Sequence, residues 1–138
     1  VHAHHLAAEL AVARVLSDPA GRRGVLRTTL GGYPDALGVA LDRHYAWQAA
    51  FWLDLAEKGD ARGDVYYAQG CAAQVVAALV QTLCARGRTW LTNEKGSVDV
   101  AGSMPDAPRA FGARLNVALK GTDIDALRDL AREVTSKG

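Results

Sequence analysis

Two short segments carry side chains whose types and spacing suit group-transfer chemistry. Arg62-Gly63-Asp64-Val65-Tyr66-Tyr67 places a cation, a carboxylate and two phenols within six residues. Asn93-Glu94-Lys95-Gly96 follows the apolar pair Trp90-Leu91, which predicts a polar loop anchored close to the core. An anchored lysine can hold a phosphate, and an anchored carboxylate can orient or deprotonate a hydroxyl. Each segment also has a purely structural reading. Asp64 sits where an acid complements a helix dipole, Tyr66 and Tyr67 suit a core, and Thr92 or Asn93 can start a helix with Glu94 and Lys95 in solvent. His2, His4 and His5 form the one metal-like cluster. With no fourth ligand nearby, it reads as a frayed, solvated end. His44, beside Tyr45, reads as a surface residue.

Other chemistries have no motif here. The chain lacks a P-loop, a dinucleotide-binding glycine fingerprint, Cys-x-x-Cys, His-Glu-x-x-His and a serine-nucleophile elbow. Gly96-Ser97 and Gly102-Ser103 are lone dipeptides.

The elements that must position these residues are helices. Asp18-Pro19 and Tyr33-Pro34 are helix starts with proline at the first helical position. They predict a short helix from Pro19 to about Leu30 and a long one from Pro34 to about Lys58, broken by Gly59-Asp60. Leu37, Leu41, Tyr45, Trp52 and Leu55 supply the three-and-four spacing of an amphipathic face. A second long helix, Ala61 to Arg86, carries Val65, Ala68, Ala72, Val76, Leu79, Val80 and Leu83, and its alanine-rich middle predicts enclosure. So short a connection requires the two long helices to run antiparallel. Shorter helices are expected at Ser97–Ser103, Pro108–Leu119 and Asp123–Thr135. Thr122 would cap the last, with Asp125 completing a capping box and Ile124, Leu127, Leu130, Ala131 and Val134 as its buried stripe. Val1 to Leu16 reads equally as a helix or as a strand over Ala11–Leu16. The fold class is therefore all-α, a bundle of two long antiparallel helices with shorter ones packed against them.

Composition sets further bounds. At 138 residues the chain suffices for one cored domain. The net charge of +1 argues against a broad nucleic-acid-binding surface while leaving room for a small phosphate pocket. Gln81 and Arg86 interrupt the longest apolar run, so no membrane span is expected. Cys71 and Cys84, about 20 Å apart along one helix, read as reduced thiols and fit a cytoplasmic protein. The chain opens on Val1 and its only methionine is Met104, which predicts a truncation upstream.

The order of these features resembles the C-terminal region of small bacterial nucleotidyltransferase-domain proteins of the DNA polymerase beta-like superfamily, distant relatives of kanamycin nucleotidyltransferases. The likeness runs from about Leu10 to Val134 and is most specific at Arg62-Gly63-Asp64-x-x-Tyr67 and Asn93-Glu94-Lys95-Gly96. Val80-Gln81-Thr82-Leu83 and Ala107-Pro108 before Phe111 also fit. The chain departs at Cys84-Ala85-Arg86-Gly87, where an Ala-Leu-Asn run would be expected.

The resemblance implies a separate catalytic domain, with a Gly-Ser turn and a strand-borne Asp-x-Asp pair, that binds magnesium and a nucleoside triphosphate. No such strand-borne pair is present here. Residues 1–17 would then be the tail of that domain and its sheet, and 18–138 the helical substrate-binding domain. By the same resemblance Asp64, Tyr67 and Lys95 would face the cleft, with Lys95 and Tyr67 toward the nucleotide and Asp64 or Glu94 toward the acceptor hydroxyl. The partners implied are nucleotide and a small-molecule acceptor, and the fragment alone would be inactive. A different class of reading makes the chain a non-catalytic module that dimerises through Trp47, Phe51 and Trp52. A helical nuclease toxin would need arginine and histidine several residues apart, whereas Arg43 and His44 are adjacent.

Overall fold

The computed structural model describes residues 3–30 and 32–136, and every regular element among them is a helix. In order they are α1 (Ala3–Val12), α2 (Arg22–Leu30), α3 (Asp35–Ala61), α4 (Val65–Arg86), α5 (Ser97–Gly102), α6 (Phe111–Gly121) and α7 (Ile124–Thr135). The fold is an all-α bundle built on the antiparallel pair α3 and α4. Helix α7 lies across both, α5 and α6 pack on α4, and α2 meets only α1.

Small residues bring the central pair together. The buried positions of α3 are Gly38, Tyr45, Ala49, Leu53, Ala56 and Gly59. They face an α4 surface that includes Ala68, Cys71, Ala72, Val75, Val76, Leu79 and Leu83. Short side chains let helix axes approach closely, since interaxial distance follows the residues at the contact. This shifts the expected stripe on α3. Tyr45 is buried as predicted, but Leu37, Leu41, Trp52 and Leu55 are only half-buried, because alanine and glycine occupy the line of closest approach. Gly59 does not break α3. A Cβ there would lie 3.0 Å from Ala68 N, so glycine is required for contact within a helix that continues to Ala61. Gly38 makes room for the Arg88 guanidinium, which donates to Ala85 O (2.7 Å) and through Nε to Asp35 Oδ1 (2.8 Å), joining the C-terminal end of α4 to the first turn of α3.

Helix α4 is the core of the molecule. No charged side chain occurs from Val65 to Ala85. Contrary to the sequence expectation, α4 is therefore long and apolar enough to cross a bilayer, but 67% of its apolar window is buried within the bundle. Phe111, Leu115, Leu127 and Leu130 close over it from α6 and α7. Each such side chain contributes about 1.5–3 kcal/mol on burial. The predicted stripe of α7 is buried at all five positions.

The caps differ in detail from the sequence reading. Asp18 does cap α2, its Oδ2 accepting from Arg23 N (3.0 Å) and Gly24 N (3.1 Å), but a turn through Gly21 delays the helix to Arg22. Asp123, not Thr122, caps α7. Thr122 takes a left-handed conformation that ends α6, and Asp123 Oδ1 accepts from Ala126 N (2.9 Å). The N-terminal segment resolves in favour of helix. Leu10 to Val12 complete α1, and no strand occurs at Ala13–Leu16, where the resemblance implied the tail of a sheet. His5 is not at a frayed end: it is buried, with Gln81 Nε2 2.8 Å from its Nε2. His4 lies edge-on to Tyr45, and His2 lies outside the described residues.

Candidate functional site

The turn between α3 and α4 is fixed by its backbone. Gly63 N donates to Asp60 O (2.8 Å) and Asp64 N to Gly59 O (3.0 Å), while Gly63 adopts φ +70°, a region open to glycine at little steric cost. Asp64 is the N-cap of α4, its Oδ1 accepting from Tyr67 N at 3.1 Å. The structural role anticipated for Asp64 is thus realised, and Tyr67 lies one turn along. The Tyr67 ring packs over Gly59, with the Arg62 guanidinium carbon 5.7 Å from its centroid. Tyr66 projects outward, 90% exposed, and Val65 is exposed rather than part of the buried face.

Beyond this turn, the outer surfaces of α3 and α4 leave an open hollow of about 480 Å³ lined by Trp52, Tyr66, Tyr67, Gln69, Gly70 and Cys71. Gln69 Nε2 donates to Thr122 Oγ1 (3.2 Å), tying this rim to the α6–α7 junction. The Phe51 ring stands edge-on to Trp52, their centroids 5.3 Å apart. The lining offers aromatic faces, phenolic hydroxyls and a carboxamide, and no formal charge. Such a surface stacks a ring and hydrogen-bonds its edge.

The second segment lies beyond the other end of α4. Leu91 is buried and Trp90 packs on Tyr33 at 4.5 Å between ring centroids, so the expected anchoring of loop 88–96 is met. It does not reach the polar side chains. Asn93 Oδ1 accepts from Lys95 N (2.9 Å), Gly96 turns left-handed (φ +69°) to start α5, and Glu94 and Lys95 extend into solvent. Asp64 and Tyr67 therefore share one corner and Glu94 and Lys95 another. No hydrogen bond or ion pair among the described residues links the two, and α4 between them rises about 33 Å over its 22 residues.

Other candidate groups serve the fold. Asp123 and Asp125 have Asp-x-Asp spacing but open a helix, where Asp123 caps and Asp125 pairs with Arg128. Arg128 also bonds Glu57 (2.8 Å), placing a guanidinium among the carboxylates that line the hollow formed by Glu57, Asp60, Asp123 and Asp125. Among the described residues no three His, Cys, Asp or Glu side chains are placed to hold a metal ion. Cys71 and Cys84 are free and buried, and burial pushes the Cys84 thiol up to about 11. Burial likewise raises Tyr33, partly opposed by the Arg88 charge, and raises Tyr45. His44 is exposed and contacts Gln48, with 3.0 Å between His44 Nε2 and Gln48 Nε2.

Sequence reasoning placed Tyr67 in a site but missed Gln69 and Gly70, and assigned Trp52 to a partner face. The available signal was a glycine set among the alanines of a helix. The chain matches no protein-family model, no curated protein and no solved structure.

Proposed function

We propose that this chain is the acceptor-binding helical domain of a nucleotidyltransferase, an enzyme that moves a nucleoside monophosphate from a nucleoside triphosphate to a small hydroxyl-bearing molecule. The observation that carries the reading is the aromatic hollow beside the Asp64 cap, lined by the Tyr67 that the resemblance assigns to the cleft. The acceptor lies against Trp52, Tyr66 and Tyr67, with Asp64 at the corner where its hydroxyl emerges. Lys95 is exposed at the opposite end of α4, so it is no part of this acceptor corner. Among the described residues Arg128 stands among the carboxylates of Glu57, Asp60, Asp123 and Asp125, and that group therefore does not suit magnesium. Under this reading the metal and the nucleoside triphosphate are held by the separate catalytic domain, and the 138 residues alone do not catalyse transfer.

The test begins with the coding DNA immediately upstream of the Val1 codon. A Gly-Ser turn followed by Asp-x-Asp is expected, and the protein made from the whole reading frame should transfer a labelled nucleotide. A stop codon or an unrelated domain there overturns the reading. In that longer protein Tyr67→Ala should raise the apparent KM for the acceptor, and an unchanged KM removes Tyr67 from the site.

A second reading, dimerisation, is favoured by the stacked pair Trp47 and Phe51, which are 62% and 42% exposed. Sedimentation of the chain across a concentration series distinguishes it, because Trp47→Ser should abolish any dimer formed through that pair.

A further inference from the structure

Small residues turn one face of α3 toward α4, and the opposite face carries a second pattern. Ala36, Ala40, Arg43, Trp47, Ala50 and Asp54 are all exposed and recur at alternating four- and three-residue spacing. That is the heptad seam of a helix that packs against another helix. Trp47 stands out from this seam, stacked flat on Phe51 with 5.3 Å between ring centroids. Three residues on, the surface falls. Ala50, Leu53 and Asp54 join Ala131, Arg132 and Thr135 of α7 around an open hollow of about 360 Å³, ample for an indole. Arg43 and Asp54 flank this knob and hollow with opposite charges. One point on the helix, level with the gap between Gln48 and Ala49, bisects both Trp47–Ala50 and Arg43–Asp54.

We infer that this face binds a second copy of the chain, the two α3 helices running antiparallel about a two-fold axis at that point. The axis sets Trp47 of each copy over Ala50 and into the hollow of the other. It also sets Arg43 level with Asp54 of the other copy, about 8 Å along the helix from the axis. A two-fold interface must be self-complementary, with every contact made twice, and this face offers knob with hollow and cation with anion at matching distances. The charged groups are available. Arg43 has no hydrogen bond or ion pair among the described residues. Asp54 holds Lys58 through Oδ2 (2.6 Å), an exposed pair of a kind worth little in water, and leaves Oδ1 for a second cation. Arg132, on the wall of the hollow and 3.8 Å from Asp129, can turn its guanidinium to the incoming indole. Arg43, Asp54 and Lys58 alternate in sign along α3, so a polyanion or an anionic membrane is the poorer occupant. This pairing rests on the dimerisation reading for its face and adds the direction and register of the two helices. Trp52 lies roughly 140° around α3 from Trp47, so the pairing leaves the aromatic hollow beside Asp64 open and the transferase reading untouched.

The experiment is sedimentation of the chain alone from micromolar to millimolar concentration. The chain should pass from monomer to dimer, and Trp47→Ser should stay monomeric. Arg43→Asp and Asp54→Arg each set like charges opposite one another at two points, and each should weaken the dimer by about tenfold or more. The double variant, Arg43→Asp with Asp54→Arg, keeps the net charge and should return within about threefold of the original affinity. An equimolar mixture of the two single variants should also dimerise, because each then meets its opposite. All these positions are exposed, so thermal midpoints of the dilute monomers should be unchanged. A chain monomeric throughout, or a dimer that survives Trp47→Ser, overturns this pairing and the dimerisation reading together. A Trp47-dependent dimer that tolerates the single reversals, or that the double variant or the mixture fails to restore, overturns the pairing alone.

Discussion

The same chemical change, glycine to alanine, should have opposite effects at two places eleven residues apart. At Gly59 the new methyl would lie 2.9 Å from Tyr67 Cδ1, 3.0 Å from Ala68 N and 3.1 Å from Ala68 Cα. The tyrosine ring can move, but the two Ala68 atoms belong to the backbone of the central helix. Relief therefore requires α3 and α4 to separate by a few tenths of an ångström along their contact. Overpacking of this kind costs about 1–3 kcal/mol, offset by the roughly 0.5–1 kcal/mol that alanine gains over glycine in a helix. The net expectation for Gly59→Ala is a loss of about 1–2 kcal/mol. Gly70→Ala meets no neighbour and keeps only the gain, about 0.5–1 kcal/mol. For a chain of this size each kcal/mol moves the midpoint by roughly 3–4 °C. Thermal melts followed by circular dichroism should show Gly59→Ala falling by about 3–8 °C and Gly70→Ala rising by about 2–4 °C. Two stabilised variants would mean that the helices do not approach at Gly59. A destabilised Gly70→Ala would mean that this glycine has an internal partner.

Asp64→Ala removes the cap of α4 and should cost about 0.5–2 kcal/mol in urea unfolding, while Asp64→Asn should restore most of it. If Asp64 also orients the acceptor hydroxyl of the proposed transferase, Asp64→Asn will still lower its kcat, which separates the cap from the chemistry. Thr82 Oγ1 is buried without a hydrogen-bond partner, so Thr82→Val should stabilise the chain by roughly 1 kcal/mol. A loss of stability in the same melts would reveal a bond to that hydroxyl. The Cys84 thiol keeps its proton to about pH 11 when folded, whereas the unfolded thiol releases it near its ordinary value of 9.0. Between those values the folded state binds more protons, so stability falls as pH rises from 9 toward 11. Cys84→Ala should flatten that slope; an unchanged slope assigns it to another group.

The architecture was legible because it depends on periodicity. The stripe of α7 and the length of α4 follow from where leucine, valine and alanine recur, and burial then has one geometrical solution. The caps were harder to read. Whether Thr122 or Asp123 begins α7 depends on which residue turns left-handed at the end of α6, and that residue is Thr122, a β-branched side chain that rarely adopts this conformation. The buried face of α3 was misread for a related reason. Leucine and tryptophan announce themselves by size, yet the closest contact is made by Gly38, Ala49, Ala56 and Gly59, residues with little to bury and little to obstruct. The site follows the same logic. Asp64 and Lys95 stand out by charge, but the structure commits one to a cap and leaves the other in solvent, at opposite ends of α4. Gly70 has no chemistry of its own. Only the structure shows that a Cβ there meets open space, so that alanine is accommodated at Gly70 where Gly59 excludes it.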